Sequence, residues 1–329
     1  MTRYRQYARR AAGIATIVAL GWLGLLLSNS LDWVGQTFPG FFLLRNGVVA
    51  SITLPDWPNA EPLFQKEVVS VQGVAIDTSA AFYEEVRRYP AGTAITYAAR
   101  GPDGAVEKHT VSSREFSGAD FTFLFGSYLV SGGAFLLVAL IVFWLRPLQP
   151  DSTGLLSTGL SAGIFALTAT ELYWPYTLFR LHIVGECLLP ASFIHLAMVF
   201  PRDRFPRHRR LLLSMLYGPF VCLLAVYQIV LNDPTAYVFV HSIAVAGAGL
   251  SGVVILLAIS YEIVNTRSSM MRRRVAIVMI GAACGFVMPT FLWLASGILG
   301  GTIPVNAAGL TAFLFPMSLG YAIVKTDLF

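Results

Sequence analysis

The chain has 329 residues, 56% of them hydrophobic and 12% charged, with a formal net charge of +5. A soluble domain carries roughly 25% charged residues, whereas the apolar residues here come in separate blocks of about 20, each long enough to cross a hydrocarbon layer of ~30 Å. That pattern excludes one soluble globular core, and arginines scattered in short segments between apolar blocks argue against a nucleic-acid surface.

The first apolar block runs from about Ala11 to Ser28 and follows Arg3, Arg5, Arg9 and Arg10. It reads as a retained signal anchor rather than a cleaved leader, because the run is long and further spans follow. The other blocks lie near 121–145, 154–176, 180–200, 211–231, 238–263, 275–299 and 306–325. The expected fold class is therefore an α-helical polytopic membrane protein with about eight transmembrane helices. Its parts are an anchor at 1–30, a small extracytoplasmic domain at 31–118 and a seven-helix domain at 119–329.

Charge sets the expected orientation. The segment 201–210 holds Arg202, Arg204, Arg207, Arg209 and Arg210, and the segment 264–274 holds Arg267, Arg272, Arg273 and Arg274. Arg146 and Lys325 fall in the same set of alternate loops, while the short loops of the other set offer only Arg180. The positive-inside rule then places both termini in the cytoplasm.

Residues 31–118 differ in kind, with mixed charges and frequent prolines and glycines. Val68–Val71 and Ile95–Ala98 read as strands, and Pro102-Asp103-Gly104 as a turn into a strand over Val106–Val111. Phe82, Val86 and Tyr89 recur at i, i+4 and i+7, the stripe of a short amphipathic helix with Thr78 or Ser79 as its cap.

On these elements the domain resembles a PDZ domain of the bacterial type. Glu67-Val68-Val69 stands where that family has Gly-Asp-Val, the turn Val71-Gln72-Gly73 and the helix 79–89 follow, and Pro39-Gly40-Phe41-Phe42 is similar to its carboxylate-binding loop. The resemblance implies a peptide groove formed by Gly40, Phe41, Phe42, Phe82 and Val86, where an extended peptide adds as a strand. Pro39 removes one backbone donor from that loop, and a domain that only packs on the membrane face is the alternative.

Ionisable residues inside spans are expensive and mark functional candidates. Glu171, Arg180, His182 and Glu186 lie near the outer ends of the third and fourth spans and form a candidate ligand pocket, or else an interfacial belt of snorkelling charges. His195 and His241 read as interhelical hydrogen-bonders. Gly159/Gly163 and Gly281/Gly285 are GxxxG pairs that let helices approach closely. Cys187, Cys222 and Cys284 form no CxxC pair and read as small apolar residues, so no metal and no cofactor is expected.

Two enzyme readings fail on residue types. None of the five histidines starts an HExxH motif, which a metalloprotease needs. The stretch Gly249–Val254 is similar to the serine motif of rhomboid proteases, but no histidine follows His241 to serve as its base. The chain as given is read as non-enzymatic.

One span, an outer PDZ-like domain, seven further spans and an inner-face terminus together resemble the membrane input region of bacterial sensor histidine kinases of the ComP type. His195–Pro201 and Gly320–Phe329 are similar to segments of such regions. The resemblance implies a sensor in the bacterial inner membrane that detects an extracytoplasmic peptide or small hydrophobic ligand. It implies a cytoplasmic signalling effector and a homodimer, with lipid around the spans. A transporter and a membrane-anchored peptide-binding scaffold are the alternatives.

Overall fold

In a computed structural model, which describes residues 2–325, the chain forms a helical bundle with a small sheet domain at one end. Helix α1 (Thr2–Leu31) is the anchor segment. Ala19 and Leu26 bury against Leu136 and Leu140 of a later helix, while most of the remaining surface of α1 is open. An apolar helix with so little of itself covered needs a nonpolar solvent, which is what the bilayer supplies.

The sheet domain follows the expected pattern closely. Strands β1 (Thr37–Phe38), β2 (Glu67–Val71) and β3 (Val74–Ala75) lead to helix α2 (Ser79–Val86), then β4 (Ala94–Arg100), β5 (Val106–Ser112) and β6 (Arg114–Glu115). The main sheet is antiparallel in the order β3-β2-β4-β5, and β1 pairs with β6. Gln72 and Gly73 take positive φ in the β2–β3 turn, the conformation that glycine supplies without strain. Thr78 caps α2 by accepting the Ala81 N–H at 3.1 Å. Ser79 instead donates to the Leu44 carbonyl at 2.6 Å.

Helix α3 (Gly118–Phe121) opens on a capping box between Ser117 and Asp120 and runs through a π-turn into α4 (Ser127–Leu145). Then come α5 (Pro150–Thr168), α6 (Phe179–Val199), α7 (Arg209–Val230), α8 (Pro234–Asn265), α9 (Ser269–Gly285), α10 (Val287–Ile298) and α11 (Leu314–Lys325). Six helices among the described residues are long and apolar enough to cross a membrane, and α9 with α10 forms a pair bent by 51°. With that pair taken as one span the described residues hold up to seven, beside the shorter apolar helix α11, where about eight were expected.

Both departures have local causes. Pro289 has no N–H for the Gly285 carbonyl and its ring would clash there, so the helix restarts at Val287 with proline in its first turn. Over 306–313 the chain is a 3-10 helix (Asn306–Leu310) followed by a turn, and α11, with 12 residues, is only about 18 Å long. Ser131 of α4 serves the backbone in that stretch, donating to the Gly309 carbonyl at 2.6 Å and accepting the Phe313 N–H at 3.2 Å. Backbone buried at this depth requires such partners. Leu328 and Phe329, the end of the segment Gly320–Phe329 singled out above, lie outside the described residues.

Glycines let the helices meet backbone to backbone. A Cβ on Gly159 would fall 2.5 Å from the Phe135 carbonyl oxygen, and one on Gly285 would fall 2.5 Å from that of Thr311. At the end of the bundle away from the sheet, charges pair inside the protein. Asp151 meets Arg274 at 2.9 Å and Arg146 at 3.2 Å, and Arg146 also donates to the Ile323 carbonyl of α11. Glu262, buried, meets Arg204 at 3.0 Å and Arg202 at 3.2 Å.

Candidate functional site

The sheet domain is joined to the bundle by a continuous core, and Phe42 is its centre. The Phe42 ring lies 4.9 Å from Trp33, 5.6 Å from Trp57 and 4.5 Å from Tyr173 of the α5–α6 connection, stacked on the last. Trp57 donates to Asp120 at 2.8 Å, Asn46 to the Leu231 carbonyl at 3.1 Å and Asn306 to the Thr53 carbonyl at 2.8 Å. Apolar stacking plus hydrogen bonds to three separate bundle segments hold the domain in one place.

This arrangement closes the segment read as a peptide groove. Phe41, Phe42, Phe82 and Val86 are fully buried, and Gly40, at φ +85, lies against Pro58. The edge a peptide would extend is already bonded. The Leu43 N–H donates to the Tyr83 hydroxyl at 2.9 Å, the Leu44 carbonyl accepts from Ser79, and the Phe42 carbonyl accepts the Ala50 N–H. Those five residues pack the core and line no open channel, because aromatic side chains fill the space a ligand strand needs. Burial raises the pKa of Tyr83 well above its ordinary value, as it does that of Tyr97.

The four intramembrane candidates separate. Glu171 is buried and fixed by Asn29 of α1 at 2.8 Å and by Thr177, so it ties the anchor to the α5–α6 connection. Arg180 is exposed and pairs with Gln228 at 2.9 Å. His182 and Glu186, one turn apart on α6, are both buried. His182 Nδ1 meets the Thr168 hydroxyl at 3.0 Å. Glu186 Oε1 lies 2.7 Å from His241 Nδ1 of α8, off the line of a hydrogen bond, and its Oε2 accepts from Tyr227 at 3.4 Å.

His182 and His241 both open onto a cavity of about 130 Å³ between the sheet domain and the bundle. Its roof is Leu44, Ala50, Ser51, Ile52 and Gln65 of the domain, and its walls include Tyr128, Phe165, Tyr173, Tyr237 and Trp293. The segment 301–312 closes one side. Gln65 sits at φ +61 with its amide donating to Ser51 at 3.0 Å, which holds the roof in shape. Glu171 and Arg180 lie outside this lining. Of the four candidates the cavity uses His182 directly and Glu186 through His241.

Sequence reasoning missed Tyr128, Tyr237, Trp293 and Gln65, which come from chain segments far apart and share no spacing. His241 reads in the sequence as an interhelical hydrogen-bonder, and a lone histidine carries no sign of which neighbours it meets. Comparison with models of known protein families, with curated proteins and with solved structures finds no match for this chain.

Proposed function

We propose that the chain is a membrane receptor module whose ligand site is the cavity between sheet domain and bundle. The observation that carries this reading is the composition of the lining, drawn from the domain and from α4, α5, α6, α8 and α10 together. A ligand held there touches the domain and five helices of the bundle at once, and differential affinity for two arrangements is what shifts a population. The clustering of arginines at the end opposite the sheet domain supports an extracytoplasmic domain and cytoplasmic termini. The resemblance to sensor-kinase input regions adds a cytoplasmic effector, a homodimer and a bacterial inner membrane to the proposal. The PDZ-like order of strands and helix stays part of it as architecture, with the ligand assigned to the cavity and not to the filled groove.

The broken α9–α10 pair favours a second reading, a transporter, since interrupted helices around a buried site are a transporter device. That reading predicts solute flux through proteoliposomes that filling the cavity abolishes, where a receptor shows no flux to block.

The receptor reading is tested without knowing the ligand, by letting a side chain occupy the site. Ala166→Phe and Ile303→Trp, both at lining positions, act as built-in occupants. Spin labels at Leu211→Cys and Tyr321→Cys, both exposed, report on α7 and α11 in a chain whose native cysteines are serine. A shifted or broadened distance distribution in both filled variants is expected. Distributions unchanged in both refute the receptor.

A further inference from the structure

The cavity wall carries no Lys, Arg, Asp or Glu. An ion entering it would shed water and meet no opposite charge, at a cost of several kcal/mol. Glu186, the carboxylate that faces His241 of the wall, is fully buried and lies outside the lining. An anion would sit within its field without a cation to offset it. A cation would feel that same carboxylate as an attraction, but from behind the His241 ring and without contact, and would gain beyond it about 2 kcal/mol from aromatic faces.

The wall's polar groups are hydroxyls, the Gln65 amide, the Trp293 indole and two imidazoles. The Nδ1 of His182 is engaged by Thr168 and that of His241 lies against Glu186. Neither of these two contacts uses the Nε2 of its imidazole. Tyr128, Phe165, Tyr173, Tyr237 and Trp293 supply flat apolar surface around these two nitrogens. The volume of about 130 Å³ is close to that of engineered apolar cavities, roughly 150 Å³, that take benzene.

Taking the receptor's ligand site as above, we propose that its ligand class is a small neutral molecule the size of a substituted benzene. It carries one hydroxyl or N–H group that hydrogen-bonds the Nε2 of His182 or His241. Ring stacking supplies affinity, and the single polar group fixes orientation in a wall that offers no counter-charge.

Fluorine NMR on the full chain in phosphatidylcholine nanodiscs tests this with four probes. They are para-fluorophenol, fluorobenzene, para-fluorobenzoate and (para-fluorobenzyl)trimethylammonium. Binding at the site is the part of the signal displaced by excess unlabelled phenol, and Ala166→Phe gives the blank for partition into lipid. The expected result is saturable para-fluorophenol binding that Ala166→Phe abolishes. Fluorobenzene should bind about tenfold more weakly for want of one hydrogen bond, and both ions about 100-fold more weakly or less still. Either ion matching para-fluorophenol overturns the neutral class while leaving a cavity receptor standing. Absence of displaceable signal from every probe overturns the ligand class altogether. The receptor reading then stands or falls on the spin-label experiment alone.

Discussion

Replacing Gly159 by alanine asks whether the backbone contact between α4 and α5 sets the stability of the bundle. The added Cβ overlaps the Ala139 Cβ and falls 2.5 Å from the Phe135 carbonyl oxygen. A comfortable C···O separation is roughly 3.3–3.6 Å, so the two helices must part by about 1 Å locally. Neither neighbour is the far end of a flexible side chain, so no rotamer change relieves the clash. A gap of ~1 Å forfeits up to about half of each dispersion contact along the seam. Overpacking of this kind costs about 1–3 kcal/mol, and the rigid partner places it in the upper half of that range. Alanine returns up to about 1 kcal/mol through its better helix propensity. The net expectation is a loss of about 1–2 kcal/mol.

Gly24→Ala on α1 is the matched control, because nothing lies within 4 Å of its added Cβ. There only the propensity gain remains, and the two variants should differ by about 2–3 kcal/mol. In thermal unfolding of the detergent-solubilised chain, followed by intrinsic fluorescence, that is a gap in midpoint of about 5 °C or more. Adding Ala139→Gly to Gly159→Ala should recover part of the loss, the part due to the Cβ overlap. Equal midpoints for Gly159→Ala and Gly24→Ala would refute the argument from close approach.

Two further perturbations separate buried polar contacts from packing. His241→Phe leaves the buried Glu186 carboxyl with Tyr227 alone, at 3.4 Å, and should cost about 3 kcal/mol in the same melt; the double variant Glu186→Leu/His241→Phe should regain most of it, and a double variant no better than the single would show that the pair is not what was lost. Burial raises the pKa of both Tyr83 and Tyr97, so their neutral forms contribute stability that is fully present below the unfolded value of about 10 and is lost as pH rises above it. Each such group adds about 1.4 kcal/mol per pH unit to the slope, a contribution that Tyr83→Phe should remove; an unfolding midpoint flat between pH 9 and 11.5 would contradict the assignment.

Legibility in the sequence followed locality. The turn at Pro102–Gly104, the cap at Thr78 and the strand over Ala94–Arg100 were readable because each depends on neighbours within a few residues. The glycine pairs were readable as packing positions for the same reason, although not which helix each would meet. The break after Gly285 was written in Pro289 but masked by an unbroken run of apolar residues, since hydropathy averages over the feature that matters. The shortness of α11 was hidden in the same way, its span being counted from Asn306 when that side chain in fact bonds Thr53 in the sheet domain. Phe42 shows the limit most clearly. Next to Gly40 it resembles part of a peptide-binding loop, yet its ring is the contact that seats the domain on the bundle, and only the position of Tyr173 reveals this. The cavity was invisible because no local pattern joins Gln65 to Trp293.

The same contacts bear on how a receptor of this design would transmit. Trp293, in the cavity wall, lies on α10, and α10 meets α9 at the bend around Phe286. Phe286 stacks on Phe315 of α11 at 4.4 Å, and Gly281 and Gly285 of α9 lie against Ser318 and Leu314 of the same helix. A change in the bend therefore cannot be absorbed by side chains alone. Backbone in van der Waals contact with backbone moves its partner, because packed interfaces switch between arrangements instead of deforming smoothly. At its far end α11 is held by Arg146, which donates to the Ile323 carbonyl and pairs with Asp151. A ligand that opens or closes the bend thus acts on a helix clamped at both ends, and in the proposed receptor its remaining freedom is rotation about its own axis, not translation. The spin label at Tyr321, on the exposed side of α11, reads such a rotation.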